Sequence, residues 1–345
     1  MKRAALHSIT QLVSQALGTR HDRLTIDCGS SNTRVYVGKR LVFDEPTAVA
    51  VQLDSKNIVA IGKKAQALVG KTPSGVNIFF PIFEGRIAEP EYLKVYLQAV
   101  LQRVVPGFSL PTMLFGAKGV FGLPTAATPV EQQLFQEVLQ QAGLGALKQI
   151  SRIEGGLRSC VPNPTDTQTY CVVAIGGQTT EVGVFSAGEL AYEARIGWGG
   201  IRFTELIQTV MNQEEQLAIG WHTAEVTKQQ LPSLQDKKTR GTKIAIRGKD
   251  ILSQVSKTTV VEAGIFSEQF EEYTRELLLF LELFFSELPT ELATACLDDG
   301  LFITGGASQL ADIPTHITEH LQVQVQVCPN PSLAIAQGLV QLHVS

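Results

Sequence analysis

The chain has 345 residues, of which 44% are hydrophobic and 18% are charged, so it can bury a large core and divide into two lobes. Its 29 Lys and Arg residues against 33 Asp and Glu residues give a formal net charge of -4, and the sequence has no basic block that would follow a phosphate backbone. The composition therefore predicts a soluble globular protein and excludes nucleic acid as an expected partner.

Residues 1–22 are predicted to form an amphipathic arm. The apolar residues near Met1 are interrupted by polar ones, which argues against a secretory signal, and we expect the mature chain to begin near Met1. Residues 4–17 place apolar side chains on one helical face, after Lys2 and Arg3. Such a helix either lies on a membrane surface or packs on its own lobe or a neighbouring subunit, and the sequence leaves both readings open.

From Leu24 to Val51 the sequence predicts three strands that form one sheet meander, with the sequences "RLTIDCG", "TRVYVG" and "TAVAVQL". The first two are separated by Gly29, Ser30, Ser31 and Asn32. A tight turn with bare amides and hydroxyls can hold an anion, although the same small polar residues also form ordinary hairpin turns.

Helices are predicted from the apolar spacing of residues 92–105 and 128–143, and the segment 111–124 between them reads as a buried strand. The most apolar stretch, residues 276–288, is too short to span a bilayer and carries Glu282 and Glu287. It is therefore predicted to be a buried helix.

The strand–turn–strand unit is repeated at residues 169–196. The second copy has Gly176, Gly177, Gln178 and Thr179 at its turn, and an internal repeat of this kind suggests two similar lobes that face each other. A third small-residue turn, with Gly305, Gly306 and Ala307, follows another apolar strand and leads to a predicted helix start, where backbone amides suit a phosphate or a ring system. Together the three turns predict a phosphate clamp.

Five cysteines are dispersed without a Cys-x-x-Cys pair, and four of them lie in apolar or strand-like runs, as small hydrophobic residues do. This pattern is typical of a reducing cytoplasm, where disulfides are rare. The five are Cys28, Cys160, Cys171, Cys296 and Cys328.

These motifs, in this order, resemble the actin-like nucleotide-binding superfamily, and within it the bacterial actins of the MreB type. The resemblance runs from about Leu24 to Val344. It depends on "DCGSSNTRVYV", "VFDEPTAVAV", "IGKKAQALVGKTPSGVNIFFPIFEGRIAE", "IGGQTTEVGVFS", "TAEVTKQQL", "IAIRGKDI" and "FITGGASQLADI".

The resemblance implies an α/β, actin-like (ribonuclease H-like) fold with two lobes, duplicated β-sheet cores and a nucleotide cleft between them. It implies the following division: residues 23–52, 87–168 and 331–345 form the core of lobe I, residues 53–86 its small subdomain, residues 169–204 and 265–330 the core of lobe II, and residues 205–264 its small subdomain.

The resemblance also implies binding of ATP or ADP with Mg²⁺. Phosphates would be held by the first turn, Gly29 to Asn32, and by the second, Gly176 to Thr179, with Asp27 near the metal either directly or through water. Glu225 and Lys228 would lie near the sugar and base, although such a pair can also be an exposed charge pair on a helix. The remaining contacts, to the adenosine, would come from Gly305, Gly306 and Ala307.

Two departures from the family pattern weaken the expected chemistry. The acid that begins the family's second loop is replaced by Ala174, and its third glycine is replaced by Gln178. The family's water-orienting glutamate belongs to an "I-E-E-P" stretch, whereas this chain has Glu154 followed by Gly155. At most a slow ATPase is therefore expected, unless Glu154 takes over as the catalytic residue.

The function that the resemblance implies is a filament-forming, nucleotide-loaded cytoskeletal protein of the cytoplasm. It would form a homopolymer, lie at the inner face of the cell membrane through residues 4–17, and act in cell shape with other cell-shape proteins. The alternative is a non-polymerising ATPase or a small-molecule kinase of the same superfamily, but a kinase needs a further substrate pocket for which the insertions leave little room.

Overall fold

The computed structural model describes residues 24–104, 119–165, 167–310 and 312–344. The N-terminal arm, including residues 4–17, and part of the strand predicted at residues 111–124 lie outside the described residues.

The first of two five-stranded sheets contains the first Gly-polar turn. Its order is β10-β9-β1-β2-β3; β1 and β2 form an antiparallel hairpin around the turn, and β1 pairs in parallel with β9. The alternating residues of β2 bury Val35 in the core below, as half-buried strands do. The strands are β1 (Leu24–Cys28), β2 (Asn32–Val37), β3 (Arg40–Pro46), β9 (Gly119–Leu123) and β10 (Leu147–Ser151).

The second five-stranded sheet repeats this topology. Its order is β13-β12-β11-β17-β18, with an antiparallel β11–β12 hairpin around the second turn and β11 parallel to β17. The repeat predicted from the sequence is therefore confirmed. The strands are β11 (Tyr170–Ile175), β12 (Thr180–Ser186), β13 (Glu189–Ile196), β17 (Leu301–Thr304) and β18 (Val325–Val327).

Three smaller sheets complete the β-structure of the described residues. The predicted third strand, "TAVAVQL", belongs to one of these sheets and not to the first large sheet. In the first large sheet, β3 follows β2 instead. The sequence analysis missed β3 because this strand is only partly buried and its apolar pattern is weak. The smaller sheets contain β4 (Val49–Gln52), β5 (Ile58–Ile61) and β6 (Val76–Phe79); β7 (Ile82–Phe83) and β8 (Arg86–Ile87); and β14 (Leu217–Ala218), β15 (Lys243–Asp250) and β16 (Ser256–Glu262).

The helices cover the sheets and fill the connections between strands. They are α1 (Lys63–Gln66), α2 (Pro90–Val104), α3 (Pro129–Gln141), α4 (Arg152–Cys160), α5 (Gly200–Glu214), α6 (Trp221–Gln230), α7 (Lys237–Arg240), α8 (Ser267–Glu287), α9 (Thr290–Asp299), α10 (Ile313–Leu321) and α11 (Pro331–Val344), with short 3₁₀ turns at Ala263–Phe266 and Gly306–Gln309.

Local sequence explains where two of these helices form. Helix α3 begins at a capping box in which the Thr128 hydroxyl accepts from the Glu131 amide and the Glu131 carboxylate accepts from the Thr128 amide. Helix α8 contains most of the apolar stretch at residues 276–288 and buries one face of it, including Leu281. No helix of the described residues is long and apolar enough to cross a membrane.

Helices α4 and α11 join the two large sheets. A buried cluster joins β9 to β11 through Ile153 of α4 and Leu339 of α11. The helix axes approach closely because glycines face each other: a Cβ atom on Gly155 would lie 2.7 Å from the Ile335 carbonyl oxygen, and one on Gly338 would overlap the Gly155 backbone. The distance between the two halves of the molecule therefore depends on this contact.

A disulfide joins Cys160, at the end of α4, to Cys328, just before α11. These two cysteines differ from the dispersed pattern that the sequence suggested, while Cys28, Cys171 and Cys296 are free and buried. The sequence does not predict this disulfide because Cys160 and Cys328 are 168 residues apart and come together only when α4 and α11 pack.

Substitution of Gly338 by Ala tests the helix contact. The added methyl group would meet backbone that cannot rotate away, so we expect the free energy of unfolding to fall by about 2 kcal/mol or more, measured by urea unfolding. The control is Gly220→Ala, because a Cβ atom there meets no other atom within 4 Å. Equal stability of the two variants would contradict the close packing.

Candidate functional site

A cavity of about 850 Å³ lies between the two large sheets and is lined by residues of both halves. Every residue predicted to bind nucleotide or metal lies on its wall, whereas Glu154 does not. Those lining residues are Asp27, Gly29, Ser30, Ser31, Asn32, Gly176, Gly177, Gln178, Thr179, Glu225, Lys228, Gly305, Gly306 and Ala307.

The first and second turns have the same backbone hydrogen bond. The Gly29 amide donates to the Asn32 carbonyl at 3.0 Å, and the Gly176 amide donates to the Thr179 carbonyl at 2.8 Å. A hydrogen bond from outside the turn stabilises the first turn: the Thr47 hydroxyl donates to the Gly29 carbonyl at 2.6 Å. The repeat thus extends from strand order to the geometry of the turns.

The turns of the two sheets touch at the bottom of the cleft. A Cβ atom on Gly177 would overlap Ser31, so the second turn can approach the first only without a side chain at this position. The third turn begins at Gly305, which has a φ of +89° and packs on the carbonyl of Ile175. All three turns therefore converge on one space.

Lys228 and Glu225 form a buried brace on one wall. The Lys228 ammonium donates to the Gly200 carbonyl at 2.9 Å, the Thr204 hydroxyl at 2.9 Å and the Glu225 carboxylate at 2.7 Å. An ammonium has three donors, so all of them are engaged within the protein. The alternative of an exposed charge pair is wrong for Lys228, which is only 8% exposed.

The pKa values of this pair follow from its burial. Burial lowers the pKa of Lys228, and Glu225 partly offsets this effect. Burial also raises the pKa of Glu225, but Lys228, Thr204 and Gln229 more than compensate, so its pKa lies below the usual value. The hydrogen bonds of this pair hold the start of α5 against α6.

Arg152 is the residue of the cleft that the sequence analysis missed. It is the first residue of α4 and only 9% exposed. Its Nε lies 3.0 Å from Asp27 Oδ1, and these two atoms form an ion pair but are not aligned for a hydrogen bond. Its Nη1 donates a hydrogen bond to Glu181 Oε1 at 3.3 Å. A guanidinium thus stands between two carboxylates contributed by the two sheets.

Further contacts hold these carboxylates in place. Glu181 is 2% exposed and accepts from the Thr125 hydroxyl at 2.6 Å. Asp27 is 1% exposed, and Nη1 of Arg34 on β2 lies 3.9 Å from its Oδ2. Signals for Glu181 and Arg34 were present in the sequence, since each lies on the second strand of a repeated hairpin.

The geometry argues against catalysis by Glu154. Positions two apart on a helix point about 200° away from each other, so Glu154 is turned away from the cleft into which Arg152 points. Burial raises the pKa of Glu154; the Ser151 backbone and Lys148 lower it, and Glu193 raises it further.

At Gly155, the position that the resemblance matches to the family's water-orienting acid, this fold leaves no room for a long side chain. Gly155 faces α11, where a Cβ atom would lie 2.7 Å from the Ile335 carbonyl oxygen, and a glutamate side chain has no room there. At the start of this helix, the charged side chain that lines the cleft belongs to Arg152.

The described residues do not fit a protein-held Mg²⁺ ion. Mg²⁺ prefers oxygen ligands, with one or two carboxylates, but Asp27 and Glu181 are both occupied by the Arg152 guanidinium. Ala174, where the family has an acid, offers no side-chain oxygen. No group of three His, Cys, Asp or Glu side chains that could hold a metal occurs in the described part of the chain.

Comparison with solved structures confirms the expected fold. MreB5 of Spiroplasma citri bound to AMPPNP superposes with a TM-score of 0.81 at 22% identity, over 92% of this chain and 95% of that one. The MamK double helical filament superposes with a TM-score of 0.73 at 16% identity, over 93% of this chain and 98% of that one. Both have the actin-like two-lobed α/β architecture.

Sequence comparison identifies the family. The cell shape-determining protein Mbl of Bacillus subtilis (strain 168) is 30% identical over 321 residues, which cover 91% of this chain and 93% of Mbl. The cell shape-determining protein MreB of Escherichia coli (strain K12) is 28% identical over 323 residues, which cover 91% of each. The MreB/Mbl protein family matches residues 21–345, and the chain therefore belongs to that family.

Proposed function

We propose that this chain is an ATP- and ADP-binding cytoskeletal protein of the MreB type that assembles into filaments and acts in cell shape. The observation that carries the proposal is the convergence of three Gly-containing turns on one cleft between duplicated sheets. Membership of the MreB/Mbl family favours this function over a non-polymerising ATPase or a kinase.

In this proposal the phosphates contact the first and second turns. Ser30, Ser31 and Asn32 supply side-chain polar groups, while Gly176 and Gly177 allow the backbone to approach a phosphate closely. The MreB5 protein of Spiroplasma citri has been solved with AMPPNP and with ADP, which supports a nucleotide as the ligand.

The other end of the nucleotide lies toward the third turn and the brace. Gly305, Gly306 and Ala307 face the adenosine, and Glu225 faces the sugar. Since all three donors of Lys228 are engaged, it acts by holding Glu225 and the start of α5 in position.

The chain's own residues favour slow hydrolysis. Ala174 supplies no carboxylate, and Glu154 does not line the cleft. Because phosphoryl transfer depends on charge stabilisation and on an oriented water, a bound ATP is expected to persist. Mg²⁺, which the resemblance implies, finds no free carboxylate pair among the described residues and is left out of the proposed protein contacts.

Substitution of Gly177 by Val tests the nucleotide site. The side chain would overlap Ser31 and fill the junction of the two turns, so we expect no ATP binding at concentrations that saturate the parent, measured by calorimetry. Gly241→Val is the control, since a Cβ atom at Gly241 has only one neighbour within 4 Å, at 3.9 Å. Undiminished ATP binding by the Gly177 variant, with native circular dichroism, would refute the site.

Self-association is supported by relatives that form filaments, such as MamK. We expect the purified chain to sediment and to show filaments in negative-stain electron microscopy when ATP or a non-hydrolysable analogue is present. If hydrolysis is slow, pelleted filaments with ATP should last as long as those with the analogue, with little phosphate release. A chain that stays monomeric with ATP, ADP and the analogue would contradict the filament proposal.

The proposal also includes attachment to the inner face of the cell membrane through residues 4–17, together with other cell-shape proteins. We expect deletion of residues 1–20 to reduce flotation with anionic liposomes while leaving the thermal unfolding of the core unchanged, because the first strand begins at Leu24. The control is the full chain with zwitterionic liposomes. Equal flotation of both chains would assign the arm to protein packing instead.

A further inference from the structure

We propose that Arg152 takes the place of a divalent cation in this cleft, so that the chain binds ATP with little dependence on Mg²⁺. This inference rests on the proposed nucleotide function and specifies its chemistry. It is carried by three observations: the position of the guanidinium, the charge of its surroundings and the residues that are missing.

The guanidinium lies where the two halves of the cleft meet the phosphate-binding turns. It contacts Asp27, at the end of β1 just before the first turn, and Glu181, on β12 just after the second turn. It also faces the first turn directly: a Cβ atom on Gly29 would lie 3.5 Å from Nη2 and 3.7 Å from Nη1. A phosphate held by that turn would therefore lie beside a guanidinium.

The buried carboxylates of the cluster already have positively charged partners in the protein. Arg152 contacts both Asp27 and Glu181, and Nη1 of Arg34, which also pairs with the more exposed Asp44 at 3.3 Å, lies 3.9 Å from Asp27. A divalent cation entering between Asp27 and Glu181 would be repelled by the guanidinium that already lies there. The carboxylates that would otherwise draw Mg²⁺ are compensated from within the protein.

Arg152 cannot be neutralised to make room for a metal. Burial lowers its pKa, but Asp27 and Glu181 outweigh burial and raise it above the usual value, and a guanidinium stays protonated in proteins in any case. Its planar donors suit phosphate oxygens. The contacts to Asp27 and Glu181 use Nε and Nη1, so Nη2, which faces the first turn, can donate to a phosphate held there.

Ala174 reduces the negative charge of the same cluster. It lines the cleft at the end of β11, where an aspartate would add a third carboxylate beside Asp27 and Glu181. Ala174 and Arg152 therefore both make the cleft less attractive to a divalent cation.

The direct test is calorimetric titration of the full chain with ATP, once in excess MgCl₂ and once in EDTA. We expect the two dissociation constants to differ by less than about threefold, far below the tenfold that corresponds to 1.4 kcal/mol. A loss of more than about tenfold in EDTA would overturn the inference and leave the nucleotide function standing. No binding in either buffer would overturn both.

The Arg152→Gln variant tests whether metal-independent ATP binding depends on this residue. Removal of the charge should weaken ATP binding in EDTA by about tenfold or more, as for a lost charge-assisted hydrogen bond, and MgCl₂ should restore part of it. Unchanged, metal-independent binding by this variant would also overturn the inference. Arg195→Gln is the matched control, because Arg195 is buried in an ion pair with Glu131 and does not line the cleft.

A second variant covers the case in which Arg152→Gln does not fold with two uncompensated carboxylates. The double variant Arg152→Gln with Glu181→Gln keeps the net charge of the cluster, and the new amide oxygen can still accept from Thr125. We expect it to fold, to bind ATP weakly in EDTA and to gain affinity with MgCl₂. Parental affinity in EDTA would overturn the role of Arg152.

Discussion

The close contact between α4 and α11 is the constraint on which the rest of the structure depends. Each half of the molecule has its own sheet and core, and the Gly155–Gly338 contact fixes how near the two sheets come. Helix α4 begins with Arg152 in the cleft and ends at Cys160 in the disulfide. A shift of α4 along α11 would move the guanidinium relative to both carboxylates, so helix packing and site chemistry are coupled.

The duplicated hairpin explains why one cleft is lined by two matching turns. Each sheet supplies the same turn with the same backbone hydrogen bond, and the two turns meet from opposite sides at Ser31 and Gly177. Neither turn alone encloses a space, since a hairpin turn of small polar residues is common. The cleft arises where the two copies face each other across the joining helices.

Much of this could be predicted from the sequence, because the features concerned are local. The three turns follow apolar strands and are built of Gly, Ser, Thr and Asn, and every residue assigned from them lines the cleft. Features that depend on distant pairs could not be predicted. Arg152 looks like an ordinary charged residue in "SRIEGG", since its partners Asp27 and Glu181 lie on strands far from it in sequence, and the Cys160–Cys328 pair is hidden in the same way.

The different surroundings of Arg152, Glu154 and Gly155 have a geometric cause. A residue-by-residue sequence alignment gives no information on side-chain direction, but successive side chains of an α-helix point about 100° apart around its axis. Arg152 at the helix start points into the cleft, Glu154 points away from it, and Gly155 meets α11. The sequence alone therefore does not show which charged side chain at the start of such a helix points into the cleft. That direction follows only when the first residue of the helix is known.

The charge of the cleft links these observations. A buried carboxylate without a partner is costly, so the buried acids of the cleft need positively charged neighbours. Arg152 contacts both Asp27 and Glu181 and offsets part of their charge, and Ala174 adds no third acid. The same arrangement leaves the backbone and hydroxyl groups of the first and second turns open to the cleft. We infer that Arg152 and Ala174 separate nucleotide binding from metal-dependent hydrolysis in this cleft.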